Sequence, residues 1–169
     1  RIVQVTDIHI GYLNREWFIK QSIELANRIP RHITVFTGDA VESGAPPEDV
    51  QRIWKMLDQL NAPLGVYAIL GNHDHWADVK RSLYWLEKAG QNLRHQCQPI
   101  YKDGERILLA GAGDYHEDSL RIDEAFSCSD ENDCRILLSH NPDSVDTEFD
   151  TPVSLVLSGH THGGQVVIP

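Results

Sequence analysis

Five short segments of this 169-residue chain carry residues suited to metal binding and proton transfer: TDIH (6–9), TGDAVE (37–42), LGNHDHW (70–76), LSHNPD (138–143) and SGHTHGGQ (158–165). From them Asp7, His9, Asp39, Asn72, His140, His160 and His162 offer seven oxygen and nitrogen donors, enough for two cations if one carboxylate bridges. Four imidazoles and two carboxylates desolvated together without a cation would be costly. Imidazole, carboxylate and a neutral amide, with no thiolate, suit Mn²⁺, Fe or Zn²⁺ better than a structural zinc site or a calcium cage. Two such divalent metal ions ~3.5–4 Å apart lower the pKa of a bridging water toward ~7 and clamp both oxygens of an in-line displacement. Set against Asp7, Asp39 and one hydroxide, they leave a positive remainder that suits a phosphate substrate.

His73 adjoins Asn72 and cannot easily turn toward the same ion while its neighbour ligates it. It is well placed to give a proton or a hydrogen bond to a leaving-group oxygen. A carboxylate beside it would hold its tautomer and raise its pKa, and Glu42 and Asp74 are both candidates. Trp76 reads as packing the start of a following helix rather than a substrate. Asp114, Tyr115 and His116 follow a strand but stay outside the catalytic set. His32, His95 and His116 read as ordinary histidines.

These residues need a frame that brings five separated loops together. Short apolar runs at Ile2–Thr6, Ile33–Thr37, Val66–Leu70, Ile107–Gly111, Ile136–Ser139, Leu155–Ser158 and Val166–Ile168 predict strands, alternating with helix-period segments. Helices are expected over Glu16–Ile29, from Pro46-Pro47 to Leu60, over Asp78–Ala89 with Gly90 as its cap, and more weakly over Asp143–Phe149. In the second of these, Val50, Ile53, Trp54, Leu57 and Leu60 share one face. CQPIYKDGER (97–106) reads as a hairpin turning on Asp103-Gly104. The pattern is that of a layered α/β or αββα protein, whose sites gather at strand C-terminal ends.

Composition narrows the function. A formal net charge of −10, without a basic run, argues against binding a nucleic-acid backbone, and no sequence-specific nucleic-acid partner is expected. No stretch approaches the ~18 apolar residues of a membrane span. Cys97, Cys128 and Cys134 fit neither a disulfide framework nor a zinc ribbon. They read as reduced thiols, with a Cys128–Cys134 bridge as the lesser alternative. Residues 1–169 read as a single catalytic domain, a piece of something longer at both ends.

Taken in order, the blocks D-x-H, G-D, G-N-H-[DE], H and G-H-x-H stand at Asp7–His9, Gly38–Asp39, Gly71–Asp74, His140 and Gly159–His162. The chain in this respect resembles the calcineurin-like metallophosphoesterase superfamily. The resemblance implies a four-layer αββα sandwich of two β-sheets flanked by helices. It implies one ion on Asp7, His9 and His162, a second on Asn72, His140 and His160, Asp39 bridging them, and His73 assisting the leaving group. Glu42 stands where Ser/Thr protein phosphatases carry an aspartate, but Ser43 replaces their following arginine. Purple acid phosphatases place a tyrosine ligand at that position, and none is here.

GHTHGGQ, LSHNPD and LAGAGD look most like the bacterial branch of membrane-associated phosphodiesterases, some of whose members cleave the pyrophosphate of UDP-2,3-diacylglucosamine. That resemblance implies hydrolysis of a phosphodiester or pyrophosphate by a metal-bound hydroxide, with a phosphate-ester small molecule or lipid-linked nucleotide as substrate. It also implies peripheral membrane association, a cytoplasmic location at the inner membrane surface, and further strands beyond Pro169. A phosphomonoesterase or nucleotidase is the alternative enzyme. A non-catalytic scaffold is the alternative from another class, although scaffolds tend to lose ligands or the catalytic histidine that this chain keeps. Oligomeric state is not indicated.

Overall fold

The computed structural model describes residues 1–11 and 16–164. Two sheets form. In the first, β1 (Ile2–Val5), β2 (Ile33–Thr37) and β3 (Val66–Ile69) run parallel in that order. The second orders β4 (Cys97–Lys102), β5 (Glu105–Gly111), β6 (Cys134–Leu138) and β7 (Leu155–Leu157), with the β4–β5 hairpin antiparallel and the other pairs parallel. Helices α1 (Glu16–Arg28), α2 (Pro47–Leu57) and α3 (Asn72–Ala89) follow the strands of the first sheet, and the short α4 (Ile122–Ala125) joins β5 to β6.

Side-chain alternation divides the core into the expected layers. Along β2, Val35 enters the cluster with Ile69, Leu109 and Leu138 that fills the space between the sheets. Its neighbour Phe36 faces the other way, onto Ile19, Ile53, Trp54 and Leu86 of the three helices. On the far sheet Leu108 and Leu137 pack with Ile122, Ala125 and Phe126 around α4. A strand covered on both faces reads as a continuous apolar run, and β2 is buried throughout. The result is the mixed α/β arrangement of two sheets flanked by helices. Among the described residues no helix is long and apolar enough to cross a membrane.

Several expectations need correction. Helix α3 starts at Asn72, six residues before the expected Asp78. Asp78 leaves helical geometry (φ −165°, ψ 87°), and its carboxylate caps the Arg81 N–H at 3.0 Å. The start signal at Asp78 is therefore real, but it begins the second segment of a kinked helix. The segment expected as a helix over Asp143–Phe149 is a 3₁₀ turn at Pro142–Asp146, capped by Asn141. Cys97 and Cys128, 31 residues apart, form a disulfide and leave Cys134 free and exposed. The strand β4 carries Cys97 alongside the loop after α4, a proximity that spacing alone does not encode. With that bond present, cysteine usage no longer argues for a reducing compartment. The strand expected over Val166–Ile168 lies outside the described residues.

Candidate metal centre

All five blocks meet where the parallel strands end. The first two loops are zipped together by backbone hydrogen bonds from Asp7 N to the Gly38 carbonyl (3.1 Å), His9 N to that of Asp39 (3.1 Å) and Ile10 N to that of Ala40 (2.9 Å). Asp7, His9, Asp39, His160 and His162 all have positive φ, from 46° to 66°. That conformation is uncommon for residues with a Cβ, and such strain concentrates at functional sites. Here it falls on five of the seven expected ligands.

Asp74 explains how the turns are held. It is fully buried, and its carboxylate accepts from the backbone N–H of Asp39 (2.9 Å), Ala40 (2.9 Å), Val41 (3.1 Å) and Gly71 (3.0 Å). Burial, with the nearby Asp39 charge, pushes its carboxyl up to about 7 against the pull of those donors. Its carboxylate therefore binds two loops to one another through backbone N–H groups. Of the two candidate partners for His73, Glu42 is the one in place: its Oε1 lies 2.8 Å from His73 Nδ1. The other Glu42 oxygen lies 3.3 Å from His9 Nδ1. Against the push of burial, these two histidines hold the Glu42 carboxyl below its ordinary value.

His140 provides the sharpest test of whether the residues fit a metal. Its ring is fully buried, and Nδ1 donates to the Thr37 carbonyl at 2.7 Å. The Nε2 lone pair then faces Asp39 Oδ2 at 3.2 Å and Asn72 Oδ1 at 3.1 Å. Two oxygens and a ring nitrogen turned on one point suit a shared cation. When only a proton serves, burial resists the charge, yet the Asp39 carboxylate and the Thr37 carbonyl outweigh it and push the ring up to about 9. An imidazole whose other nitrogen donates to a backbone carbonyl is the usual support of a metal-ligating histidine. The His160 Nδ1 lies 3.1 Å from the same Asn72 oxygen, and burial beside His140 keeps that ring below its ordinary pKa. His160 and Asp39 can share a cation with His140.

On the other side, Asp7, His9 and His162 form a second such group. Asp7 is oriented by the Thr6 hydroxyl (2.6 Å) and the His160 N–H (2.9 Å). The Nε2 atoms of His9 and His162 are 3.1 Å apart and both rings are nearly stacked. His9 Nε2 lies 3.5 Å from Asp39 Oδ2, so the Asp39 carboxylate reaches both groups. Burial, outweighing the pull of Asp39, lowers the pKa of His9 and favours a neutral, ligating ring.

The backbone must approach very closely here. At Gly38 (φ +98°) an added Cβ would lie 2.6 Å from both Gly71 N and His140 Nδ1; at Gly71 it would lie 2.7 Å from the His140 ring. Only glycine fits between the two loops at these positions.

The structure thus brings together Asp7, His9, Asp39, Asn72, His140, His160 and His162, with His73 and Glu42 at the edge. Trp76 departs from expectation. Its side chain is 52% exposed and sits 4.8 Å from the His73 ring rather than packing into the helix start. Sequence reasoning passed over Asn141, buried between His140 and the 3₁₀ turn, although Asn-Pro is a recognisable cap signal.

The sequence profile of the calcineurin-like phosphoesterase family matches residues 1–164. The chain belongs to that family. An uncharacterised metallophosphoesterase of Bacillus subtilis, YkuE, is 35% identical over 181 residues, covering all of this chain and 60% of its own length. The UDP-2,3-diacylglucosamine pyrophosphatase LpxG of Chlamydia muridarum is 26% identical over 215 residues, covering all of this chain and 65% of its own length. The chain therefore spans less than two thirds of the length of these calcineurin-like relatives. Among solved structures, NAD nucleotidase NadN of Haemophilus influenzae aligns with a TM-score of 0.61 at 16% identity, over 95% of this chain and 38% of that one. TT1561 of Thermus thermophilus aligns at 0.59 and 15% identity, over 82% and 66%. At these identities the likeness shows the shared fold. Metallophosphoesterases use divalent metals, and the clustered ligand atoms described above are of the matching kind.

Proposed function

We propose that this chain hydrolyses phosphodiester or pyrophosphate bonds with two divalent metal ions. Asp7, His9 and His162 would hold one ion, Asn72, His140 and His160 the other, and Asp39 would bridge. The observation that carries the reading is His140 Nε2 aimed at Asp39 Oδ2 and Asn72 Oδ1, with Nδ1 already engaged by the Thr37 carbonyl. Two bound ions supply Lewis acidity toward the phosphoryl oxygens and a nucleophile at neutral pH. Manganese, iron and zinc all suit the donor set.

His73 performs the proton transfer. Glu42 engages its Nδ1, which leaves Nε2 as the atom that hands a proton to the departing oxygen. Asp39 also accepts the His73 backbone N–H at 3.0 Å, so the proton donor and the bridging carboxylate are fixed to one another. Pyrophosphate belongs in the substrate class because a relative over the whole chain bears the name of a lipid-linked UDP-sugar pyrophosphatase.

The test is hydrolysis by metal-stripped and Mn²⁺-restored protein of bis(p-nitrophenyl) phosphate, p-nitrophenyl phosphate and a UDP-linked lipid pyrophosphate. Metal-dependent turnover that favours the diester or pyrophosphate supports the proposal. A strong preference for the monoester would make the chain a phosphomonoesterase or nucleotidase. No turnover with two ions bound would make it a scaffold.

A further inference from the structure

The loop after β5 carries a group that the proposed reaction does not use. Asp114 is buried, and its Oδ1 accepts the backbone N–H of His116 (3.0 Å) and Glu117 (2.9 Å), which fixes the turn. The His116 side chain is exposed, yet its ring is held on the site side of that turn, 6.5 Å from the His160 ring between centroids. Its Nε2 lies 3.3 Å from the Asn141 amide nitrogen.

The orientation of that amide is settled by its other end. Asn141 Oδ1 accepts the Asp143 N–H at 2.8 Å, so the atom turned toward His116 is the NH₂ group. An NH₂ group can only donate, which makes His116 Nε2 the acceptor and places the ring proton on Nδ1. Asn141 in turn follows His140 directly and is itself buried. The chain therefore spends a buried amide on holding an exposed imidazole as an oriented N–H donor, next to a proposed ligand. A solvated histidine without a task would need no such support.

Resting on the phosphoesterase reading, we infer that His116 is a substrate-contact residue whose Nδ1–H donates to a phosphoryl oxygen bound beside His140 and His160. Its contribution lies in binding the phosphate, separate from the proton transfer at His73. A hydrogen bond to a charged oxygen has an effect of about tenfold to a hundredfold on affinity.

Two measurements decide the matter on Mn²⁺-loaded protein: calorimetric titration with inorganic phosphate, and the kinetics of bis(p-nitrophenyl) phosphate hydrolysis. In H116A the phosphate Kd and the KM should both rise by about tenfold or more, kcat should fall by less, and both metals should stay bound. H116Q, which keeps an N–H, should recover part of the loss. H116F keeps the ring volume without the donor and should behave as H116A, which covers the case of a poorly folding alanine variant. Phosphate affinity and KM within about twofold of the parent, with both metals in place, would overturn the inference. So would a loss confined to metal content or thermal stability. Because phosphate titration needs no turnover, a parent protein that binds phosphate but cleaves nothing would refute the hydrolase reading alone.

Discussion

His140 and His162 present the same ring to the centre from opposite surroundings. His140 is wholly buried, its tautomer set by the Thr37 carbonyl and its walls formed by two glycines that admit no Cβ. His162 is 40% exposed, sits in a 3₁₀ turn at the end of the described residues, and approaches His9 and Asp7. One half of the centre is preorganised by the core between the sheets. The other, around His162, would depend on loop conformation and on the ion it is proposed to hold. Pre-set ligands lose less freedom on binding, so the His140 half should hold its metal more tightly.

The largest effect should come where the halves meet. Replacing Asp39 by Asn removes the shared charge, and both metals and all turnover should be lost, as read by metal analysis and diester hydrolysis. Retention of one tightly bound ion would mean that Asp39 serves only one half. His73→Ala comes next: kcat should drop by about 10²–10⁴ with both metals retained. An unchanged kcat would remove His73 from the mechanism.

Gly71→Ala tests the rigid half directly. The new methyl must displace the Asp39 carboxylate as well as the His140 ring, at a cost of roughly 1–3 kcal/mol in stability, and metal affinity should fall with it. The contrasting His162→Ala should leave the melting temperature of the metal-free protein nearly unchanged while one ion is lost. Equal effects of the two variants on stability would erase the distinction between the halves. Smallest of all, Glu42→Gln should lower kcat by about tenfold, since it leaves His73 in place but weakens its orientation.

Much of this was legible before any coordinates. The ligand types, their spacing and their place after apolar runs identify the loops, because parallel strands deliver their C-terminal ends to one edge. Helix α2 is equally plain, with Val50, Ile53, Trp54 and Leu57 buried as their spacing predicts, although it ends at Leu57 and the buried Leu60 lies just beyond it. Local signals misled where two of them competed. Asp78 is a true cap, yet it lies within a helix that Asp74 has already started from Gly71. The roles of Glu42 and Asp74 could not be separated by sequence, since both are carboxylates near His73 and only packing turns one toward the ring and the other toward four amides. Cys97–Cys128 and His116–Asn141 join residues 31 and 25 positions apart, and nothing local marks either pair.

Where the ions sit is tested most directly by anomalous diffraction from Mn²⁺-loaded crystals. Two peaks about 3.5–4 Å apart, on either side of the Asp39 carboxylate and within reach of His162 and His140 respectively, are predicted. His9, Glu42 and His73 also cluster closely enough to hold an ion. A peak there, or a single peak away from Asp39, would contradict the account and take His73 out of its role as proton donor.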